Sequence, residues 1–311
     1  MMPTAYDVIV VGDYFLDLVF SWLPRFPELG REIVGSGFEM LPGGAYNTAL
    51  AMHRLGLKVG WAADFGDDEF SRFAMERARA EGLSDELFGY HKHSYRRITV
   101  SISYPEERAF VTYCDPEPST PAGVRALGAV SARAVCLPGM FYGPLFEAAL
   151  PIVRAKGMKL IMDGNPPEEP TLVMPEVRAA VSSVDVFLAN SREARHMTGA
   201  CDVVQALRSL NELCPLVVVK DGGAGAYGCA RGEIVHAPAI PLTPIDTTGA
   251  GDCFNAGFVR AWLDGLPLDE CLRWGNVVGG LSTLAPGGTG RVITAEDVRQ
   301  WLARETEKQK G

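Results

Sequence analysis

The sequence predicts an α/β protein with a central, mainly parallel sheet flanked by helices, and a small antiparallel sheet beside it. Three observations support this fold class. Short strands rich in Val, Ile and Leu alternate with helical segments along the 311 residues, which is typical of right-handed crossovers. Apolar runs such as residues 6–12 (YDVIVVG) indicate strands buried on both faces. Residues 97–104 and 109–114 alternate polar and apolar side chains around a turn at 105–108, which indicates a hairpin with one open face.

The elements follow in order along the chain. The predicted strands of the main sheet are residues 6–12, 58–63, 134–137, 159–162, 184–189 and 216–220. The predicted helices are residues 43–55, 67–80, 144–156, 175–183, 192–198, 203–213 and 253–264. In the first helix, alanine, methionine and leucine recur at helical spacing and Gly56 ends the segment. Residues 30–40 contain alternating polar and apolar side chains, which indicates an extended segment that belongs to the smaller sheet.

Composition and charge argue against several classes of function. The net charge of −9 argues against a nucleic-acid or anionic-membrane partner, because both require a basic surface. The apolar run near the N-terminus is far too short for a membrane span. Seven cysteines without a Cys-x-x-Cys pair predict reduced thiols in a cytoplasmic protein. The five histidines show no metal-binding spacing.

The segment from Asp246 to Asp252 (DTTGAGD) carries the clearest chemistry. Aromatic residues spaced four apart follow it, which predicts a helix that begins near Gly251. Gly249, Ala250 and Gly251 then lie at a helix N-terminus, where free N–H groups and the helix dipole favour an anion. Asp252 follows directly and can accept a proton from an attacking hydroxyl group. We therefore expect an anion hole and a general base for phosphoryl transfer.

This segment resembles the C-terminal signature of the ribokinase-like (PfkB) carbohydrate kinase family. Residues 42–47 (PGGAYN) are similar to the family's N-terminal signature, and residues 66–70 (GDDEF) resemble the family segment that follows it. The resemblance covers nearly the whole chain. It implies one α/β domain over residues 1–311, with a β lid from about 13–40 and 95–115. It also implies an ATP-dependent kinase that uses Mg²⁺, with Asp252 as the catalytic base.

The resemblance assigns the acceptor half of the site to two groups of residues. Asp13 and Asp17 stand just after the first strand, where the family uses an Asp to bond substrate hydroxyls. A carboxylate suits a sugar diol because it can accept two hydrogen bonds. Gly43, Gly44 and Asn47 resemble the substrate-binding glycines and amide of the N-terminal signature.

The nucleotide half is implied by two further motifs. Asn190 and Glu193 resemble the family's Asn-x-x-Glu motif, which tunes Mg²⁺ and phosphate binding through water. Lys220, Gly222 and Gly225 belong to a Gly-rich turn that resembles the family's nucleotide-contacting turn. Both motifs follow predicted strands, so they are expected at the same carboxyl edge of the sheet.

Three further expectations also rest on the resemblance. Asn276 starts a helix-like run and aligns with the residue beside adenine in relatives. Asp246 and Thr248, with carbonyls around residues 285–288, resemble the family's monovalent-cation site, which implies activation by K⁺. The alternating strands of the lid could pair across a homodimer, because strand edges readily pair.

The acceptor remains open between alternatives. Ribokinases carry an acidic sugar contact after the strand that corresponds to residues 134–137, and residues 138–143 (PGMFYG) contain no carboxylate. A sugar kinase is therefore one reading, and a nucleoside kinase whose base stacks on Phe141 or Tyr142 is another. A catalytically silent sugar- or nucleotide-binding protein is a third. A P-loop kinase and a dinucleotide oxidoreductase are disfavoured, because neither glycine-rich fingerprint is present.

Overall fold

The computed structural model describes residues 5–103, 108–165 and 170–310. The strands are β1 Tyr6–Val11, β2 Tyr14–Ser21, β3 Gly37–Gly44, β4 Val59–Ala62, β5 Asp64–Phe65, β6 Gly89–Tyr90, β7 Arg97–Ser103, β8 Arg108–Cys114, β9 Ala132–Leu137, β10 Lys159–Asp163, β11 Val186–Asn190, β12 Leu216–Lys220, β13 Ala226–Ala230 and β14 Glu233–Ala237. The helices are α1 Ala45–Arg54, α2 Glu69–Ala80, α3 Ala122–Ala129, α4 Pro144–Ala155, α5 Pro175–Ser182, α6 Ser191–Thr198, α7 Val203–Asn211, α8 Ala250–Leu263, α9 Leu268–Ser282 and α10 Ala295–Lys310, with a 3₁₀ turn at Gly222–Ala224.

Eight strands form the main sheet in the order β14-β13-β12-β11-β10-β9-β1-β4. The neighbours from β12 to β4 pair in parallel, and β13 and β14 add an antiparallel hairpin at one edge. Because the six parallel strands point the same way, their carboxyl ends share one edge of the sheet, where α/β proteins place their ligands. The fold-class prediction is confirmed.

Helices cover both faces of the main sheet, and alternate residues of each strand enter opposite cores. Val8 and Val10 of β1 pack into the core with α1, α8 and α9, whereas Ile9 packs into the core with α4, α5 and α7. This alternation explains why the central strands are continuously apolar in sequence. The rigid double layer fixes the positions of the residues at the strand ends.

A smaller four-stranded sheet lies beside the main one, in the order β3-β2-β7-β8. The β2/β3 and β7/β8 pairs are antiparallel, whereas β2 and β7 pair in parallel. The two hairpin pairs are antiparallel as expected, and the parallel contact between β2 and β7 arises because a long crossover joins these two strands. Only the strands of the predicted hairpin can be compared with the structure, since most of its turn at 105–108 lies outside the described residues.

Several element boundaries differ from the sequence prediction. The first helix begins at Ala45, since Gly43 and Gly44 complete β3 and Gly44 is the N-cap with a φ of 63°. The second helix begins at Glu69, because the Asp68 side chain caps it by accepting from two backbone N–H groups. Asn276 lies in the second half of α9 and does not start a helix. Within the described residues, no helix is long and apolar enough to span a bilayer.

Candidate active site

Helix α8 begins where the sequence places the anion hole. Gly249 is its N-cap with a φ of 67°, and a Cβ atom there would lie 2.4 Å from Gly288 Cα. Only glycine tolerates both the left-handed backbone and this close approach. The Ala250 N–H donates to the Thr247 carbonyl over 3.3 Å, so this amide is partly engaged. In the described part of the chain, the amides of Gly251 and Asp252 have no such acceptor, so a helix N-terminus with two open N–H groups lies where the anion hole is expected.

Asp252 is held in the first turn of α8 by contacts from helix α1. Asn47 Nδ2 donates to Asp252 Oδ2 over 3.4 Å, and Thr48 Oγ1 donates to Oδ1 over 3.1 Å. Burial, reinforced by the negative charge of Asp163, raises the pKa of Asp252 to about 6. A carboxylate with this pKa is ionised at neutral pH and more basic than usual, which suits a general base.

Asp17 lies on the side of the smaller sheet that approaches Asp252. Burial, and then the charge of Asp252, raises the pKa of Asp17 to about 7. Gly43 pairs with Phe15, two residues before Asp17 on β2, and a Cβ atom on Gly43 would lie 2.3 Å from Asp17 Oδ2. The glycine therefore makes room for the Asp17 carboxylate. In the described residues Asp17 has no hydrogen-bond donor, so its oxygens are available to a ligand hydroxyl.

Asp13 has a different environment from Asp17. Its Oδ1 accepts from the Asp64 N–H over 3.0 Å, and its Oδ2 lies 2.6 Å from the Tyr95 hydroxyl and 3.4 Å from Arg97 Nε. Burial raises the pKa of Asp13 to about 6. The carboxylate is thus largely occupied by protein donors. Asp13 can therefore help to position the backbone and side chains around it, and it has less capacity than Asp17 to bind a diol.

Arg97 and Glu117 complete this network, and their contribution is not apparent from the sequence pattern. Arg97 is buried, with 3% of its side chain exposed, and its Nη2 lies 2.5 Å from Glu117 Oε1. Glu117 Oε2 also lies 2.9 Å from the Tyr95 hydroxyl, so the carboxylates of Asp13 and Glu117 share one hydroxyl donor. Glu117 places an acidic side chain close to Asp13. The segment after β9, residues 138–143, contains no acidic residue.

Asn190 and Glu193 form a capping box at the start of α6. Asn190 Oδ1 accepts from the Glu193 N–H, and Glu193 accepts from the Asn190 backbone and side-chain amides. Burial, and then the charge of Asp163, raises the pKa of Glu193. The two residues border a cavity of about 220 Å³ that Gly164 and Asn165 also line. The local helix cap therefore explains the spacing of the motif, and the cavity leaves room for a ligand.

The Gly-rich turn after β12 is held in place by α9. Gly225 has a φ of 97°, and a Cβ atom there would lie 2.1 Å from the Ala237 carbonyl oxygen. Asn276 Nδ2 donates to the carbonyls of Ala237 and Pro238, so it fixes the chain that follows β14 beside this turn. Gly222 has a φ of 52° and opens the 3₁₀ turn. Asn276 thus lies near the Gly-rich turn, and its side-chain amide already donates hydrogen bonds within the protein.

Two residues that the sequence reasoning missed lie beside Lys220. Asp163 ends β10 and Asn255 lies one turn after Asp252 in α8; both are buried. Lys220 Nζ donates to Asp163 Oδ2 over 2.6 Å and to Asn255 Oδ1 over 3.1 Å. The position of Asp163 at the carboxyl end of a parallel strand is the signal that could have identified it.

The described residues allow cation binding at two places. Asp163, Glu193 and Asp252 all interact electrostatically with the single ammonium of Lys220, and this excess of negative charge fits a divalent cation. In the described chain no three His, Cys, Asp or Glu side chains converge as direct ligands, so such an ion would be held through water and phosphate oxygens.

The second place is the loop that precedes α8. Asp246 Oδ1 accepts from Thr248 N and Oγ1, and Oδ2 accepts from the Gly287 N–H. These contacts join the start of the signature to residues 285–288. A carboxylate among backbone carbonyls is an oxygen-rich setting that hard cations accept.

The structure brings most of the predicted residues to the carboxyl edge of the main sheet. At this edge, Asn47 donates a hydrogen bond to Asp252. The ammonium of Lys220 interacts electrostatically with the carboxylates of Glu193 and Asp252. Asp17 joins them from the smaller sheet through its electrostatic coupling to Asp252. Asn276 and Asp13 are instead engaged in separate hydrogen bonds, with the Ala237 carbonyl and with the Tyr95 hydroxyl.

Comparison with known proteins identifies the family of this chain. The family model described as pfkB family carbohydrate kinase matches residues 7–295. The ribokinase of Bacillus subtilis is 24% identical over 302 residues, covering 96% of this chain and 99% of the relative. The cytidine kinase of Thermococcus kodakarensis is 28% identical over 280 residues, covering 86% and 93%.

Solved structures share the fold at low sequence identity. The structure of Arabidopsis thaliana ribokinase complexed with ribose and ATP superposes with a TM-score of 0.81 at 21% identity, covering 96% of this chain and 99% of that one. A putative ribokinase II from E. coli, in complex with ATP and Mg²⁺, superposes with a TM-score of 0.76 at 19% identity, covering 96% and 99%. By the extent of the family match, this chain belongs to the pfkB family of carbohydrate kinases.

Proposed function

We propose that the protein transfers the γ-phosphoryl group of ATP to a hydroxyl group of a sugar or sugar-like small molecule. The observation that carries the proposal is the position of Asp252. Its buried carboxylate has a pKa raised to about 6 and lies in the first turn of α8, beside open backbone amides. A proton acceptor and an anion-binding helix terminus in one place are the two elements that phosphoryl transfer requires.

On the acceptor side, the hydroxyl group to be phosphorylated would lie between Asp17 and Asp252. Asp17 would accept a hydrogen bond from the acceptor, in the space that Gly43 leaves open. Asp252 would take the proton as the oxygen attacks phosphorus. Asn47 and Thr48 orient Asp252 through its two oxygens, so little reorganisation is needed when the proton moves. Gly44 supports this geometry by turning the chain from β3 into α1.

On the nucleotide side, the ATP phosphates would approach the α8 N-terminus, and Mg²⁺ would offset the negative charge around Glu193. Lys220, Gly222 and Gly225 would lie along the nucleotide, with Asn190 at the phosphate end and Asn276 toward the base. The similar solved structures in complex with ATP, or with ATP and Mg²⁺, support this choice of cofactors. Asp246 and Thr248 are the residues we propose for a K⁺ site.

The smaller sheet would act as a lid within one domain that spans residues 1–311. Its strands carry Asp17 toward Asp252, so closure would exclude water from the acceptor. The lid also exposes several large apolar side chains: Phe20, Trp22, Phe26, Phe38, Phe110 and Val111. Patches of this kind favour association, and we propose a homodimer through the lid. A Phe38→Glu variant that elutes like the wild type in size-exclusion chromatography would argue against it.

A cytoplasmic location is part of the same proposal. All seven cysteines are free thiols, and five of them are buried. Free cysteines are common in the reducing environment of the cytoplasm.

A nucleoside kinase is the second candidate. The cytidine kinase of T. kodakarensis is among the relatives, and Phe141 is partly exposed where a base could stack. A catalytically silent binding protein is the alternative from another class. The intact base and open amides at α8 favour an enzyme over it.

A substrate panel tests the proposal. ADP release is measured with pentoses, hexoses, keto-sugar acids and nucleosides as acceptors, using the wild type and Asp252→Asn. Asp264→Asn, at the other end of α8, is the matched control. We expect turnover of at least one sugar, loss of turnover in Asp252→Asn, and normal turnover in the control. Turnover of nucleosides alone would favour the second candidate, and no turnover on the whole panel would favour a binding protein.

A further inference from the structure

Lys220, Asp163 and Asn255 form a closed ring of hydrogen bonds at the floor of the site. Lys220 Nζ donates to Asp163 Oδ2 and to Asn255 Oδ1, and Asn255 Nδ2 donates back to Asp163 Oδ2. The three residues come from β12, β10 and α8, which are 35 to 92 residues apart in sequence. All three are largely buried, so the ring has a defined geometry.

The ring assigns different tasks to the two buried aspartates. Asp163 Oδ2 accepts from both partners, and Oδ1 accepts from the Asn165 N–H over 2.9 Å. Both oxygens of Asp163 are therefore engaged in holding protein groups. Asp252, in contrast, is held by one side-chain donor on each oxygen and keeps lone pairs for a substrate. Of the two carboxylates, Asp252 is the one suited to take a proton.

The ring also aims the Lys220 ammonium at the anion hole. A Cβ atom on Gly251 would lie 3.5 Å from Lys220 Nζ, so the ammonium is directly beside the first turn of α8. Two of its three N–H bonds are used in the ring. Among the described residues the third has no acceptor, which leaves it available on the side of α8. The ammonium and the open amides of Gly251 and Asp252 thus border the same space.

We propose that Lys220 is a catalytic residue that donates its third N–H to the phosphoryl group in transfer, with Asp163 and Asn255 as positioning residues. This inference rests on the proposed function. The acceptor oxygen forms a bond to the γ-phosphorus as the bond to the bridging oxygen of ADP breaks. The bridging oxygen keeps the electron pair, and Asp252 receives the acceptor's proton. Lys220 stays protonated and stabilises negative charge on the transferring oxygens.

The ring could instead serve only to join three elements in the core, and the experiment must separate these roles. Lys220→Met alone leaves Asp163 buried without its cation, which is often strongly destabilising. The double variant Lys220→Met/Asp163→Asn removes both charges and avoids that penalty. Lys159→Met is the matched control, because Lys159 is exposed at the opposite end of β10.

The decisive measurement compares binding of the β,γ-imido analogue of ATP with binding of ADP by calorimetry. We expect the double variant to weaken binding of the analogue about 10- to 100-fold more than binding of ADP, since the charge-assisted hydrogen bond is lost at the γ-phosphate, which ADP lacks. Asn255→Ala should also weaken binding of the analogue, by a smaller factor. Equal losses for both nucleotides, or no loss for either, would overturn the assignment.

Turnover provides the second readout. We expect kcat of the double variant to fall by about 10²- to 10³-fold with little change in the acceptor KM. A folded double variant that keeps wild-type kcat would refute a catalytic role for Lys220. If the wild type turned over no acceptor while the analogue-to-ADP difference held, the proposed function would fail. The assignment of Lys220 to the γ-phosphate would then stand by itself.

Discussion

Replacing Asp252 by asparagine should make the protein more stable while it abolishes activity. The pKa of Asp252 rises from 3.8 to about 6, chiefly because the carboxylate is buried. The folded state therefore binds this proton more tightly than the unfolded state does. Stability contributed by this group falls as pH rises from about 4 to about 6, and the full penalty is present at neutral pH.

The magnitude follows from the size of the pKa shift. About two pKa units correspond to at most roughly 3 kcal/mol. Asparagine keeps an acceptor for Thr48 but presents an amide nitrogen that opposes Asn47 Nδ2, so we expect a net gain of roughly 1–2 kcal/mol. With roughly 2.1 cal/mol/K per residue of unfolding entropy, this gain raises the Tm by about 2–3 °C.

Differential scanning calorimetry at pH 7.5 and pH 4.5 measures this effect. The Tm advantage of Asp252→Asn should be present at pH 7.5 and should shrink at pH 4.5, where the wild-type carboxylate is protonated in the folded state. Asp264→Asn changes an exposed ion pair with Arg260 at the other end of α8 and should leave the Tm within about 1 °C. A Tm advantage that is absent at pH 7.5, or independent of pH, would refute the electrostatic argument.

Three further predictions concern the backbone and the pH dependence of the site. Gly43→Ala should raise the acceptor KM by about 10-fold at nearly unchanged Tm, because the new methyl group displaces only the end of the Asp17 side chain; steady-state kinetics and a melting curve check this. Gly249→Ala should lower kcat by about 100-fold and the free energy of unfolding by about 1–3 kcal/mol, since it strains a positive φ and meets the Gly288 backbone; unchanged kcat would contradict it. The pH profile of kcat/KM should fall below pH of about 6 as Asp252 becomes protonated; a profile that stays flat down to pH 4.5 would show that another group is the base.

The start of α8 could be predicted because its signals are local. Three small residues before an aromatic helical pattern specify a helix N-terminus, and Asp252 follows it in sequence. Central strands could be predicted for a similar reason, since burial on both faces requires continuous apolar runs. The first turn of α1 was misplaced by two residues because Gly43 and Gly44 still pair with β2.

Other parts of the site depend on contacts that no local pattern reveals. Asp163 meets Lys220 and Asn255 across 57 and 92 residues of sequence. Arg97 lies in a strand of alternating polar and apolar residues that predicts one open face, yet the fold buries its side chain between Asp13 and Glu117. Such pairs follow from the order of the strands in the sheet, which the sequence alone left undetermined.

Direct transfer of labelled phosphate tests the central claim most closely. The wild type and Asp252→Asn are incubated with [γ-³²P]ATP and the acceptors of the panel, and nucleotide binding is measured in parallel. We predict a labelled acceptor with the wild type and none with Asp252→Asn. The affinities of the two proteins for ATP should agree within about threefold. A labelled acceptor formed by Asp252→Asn at more than about 1% of the wild-type rate would contradict the role of Asp252 as the base.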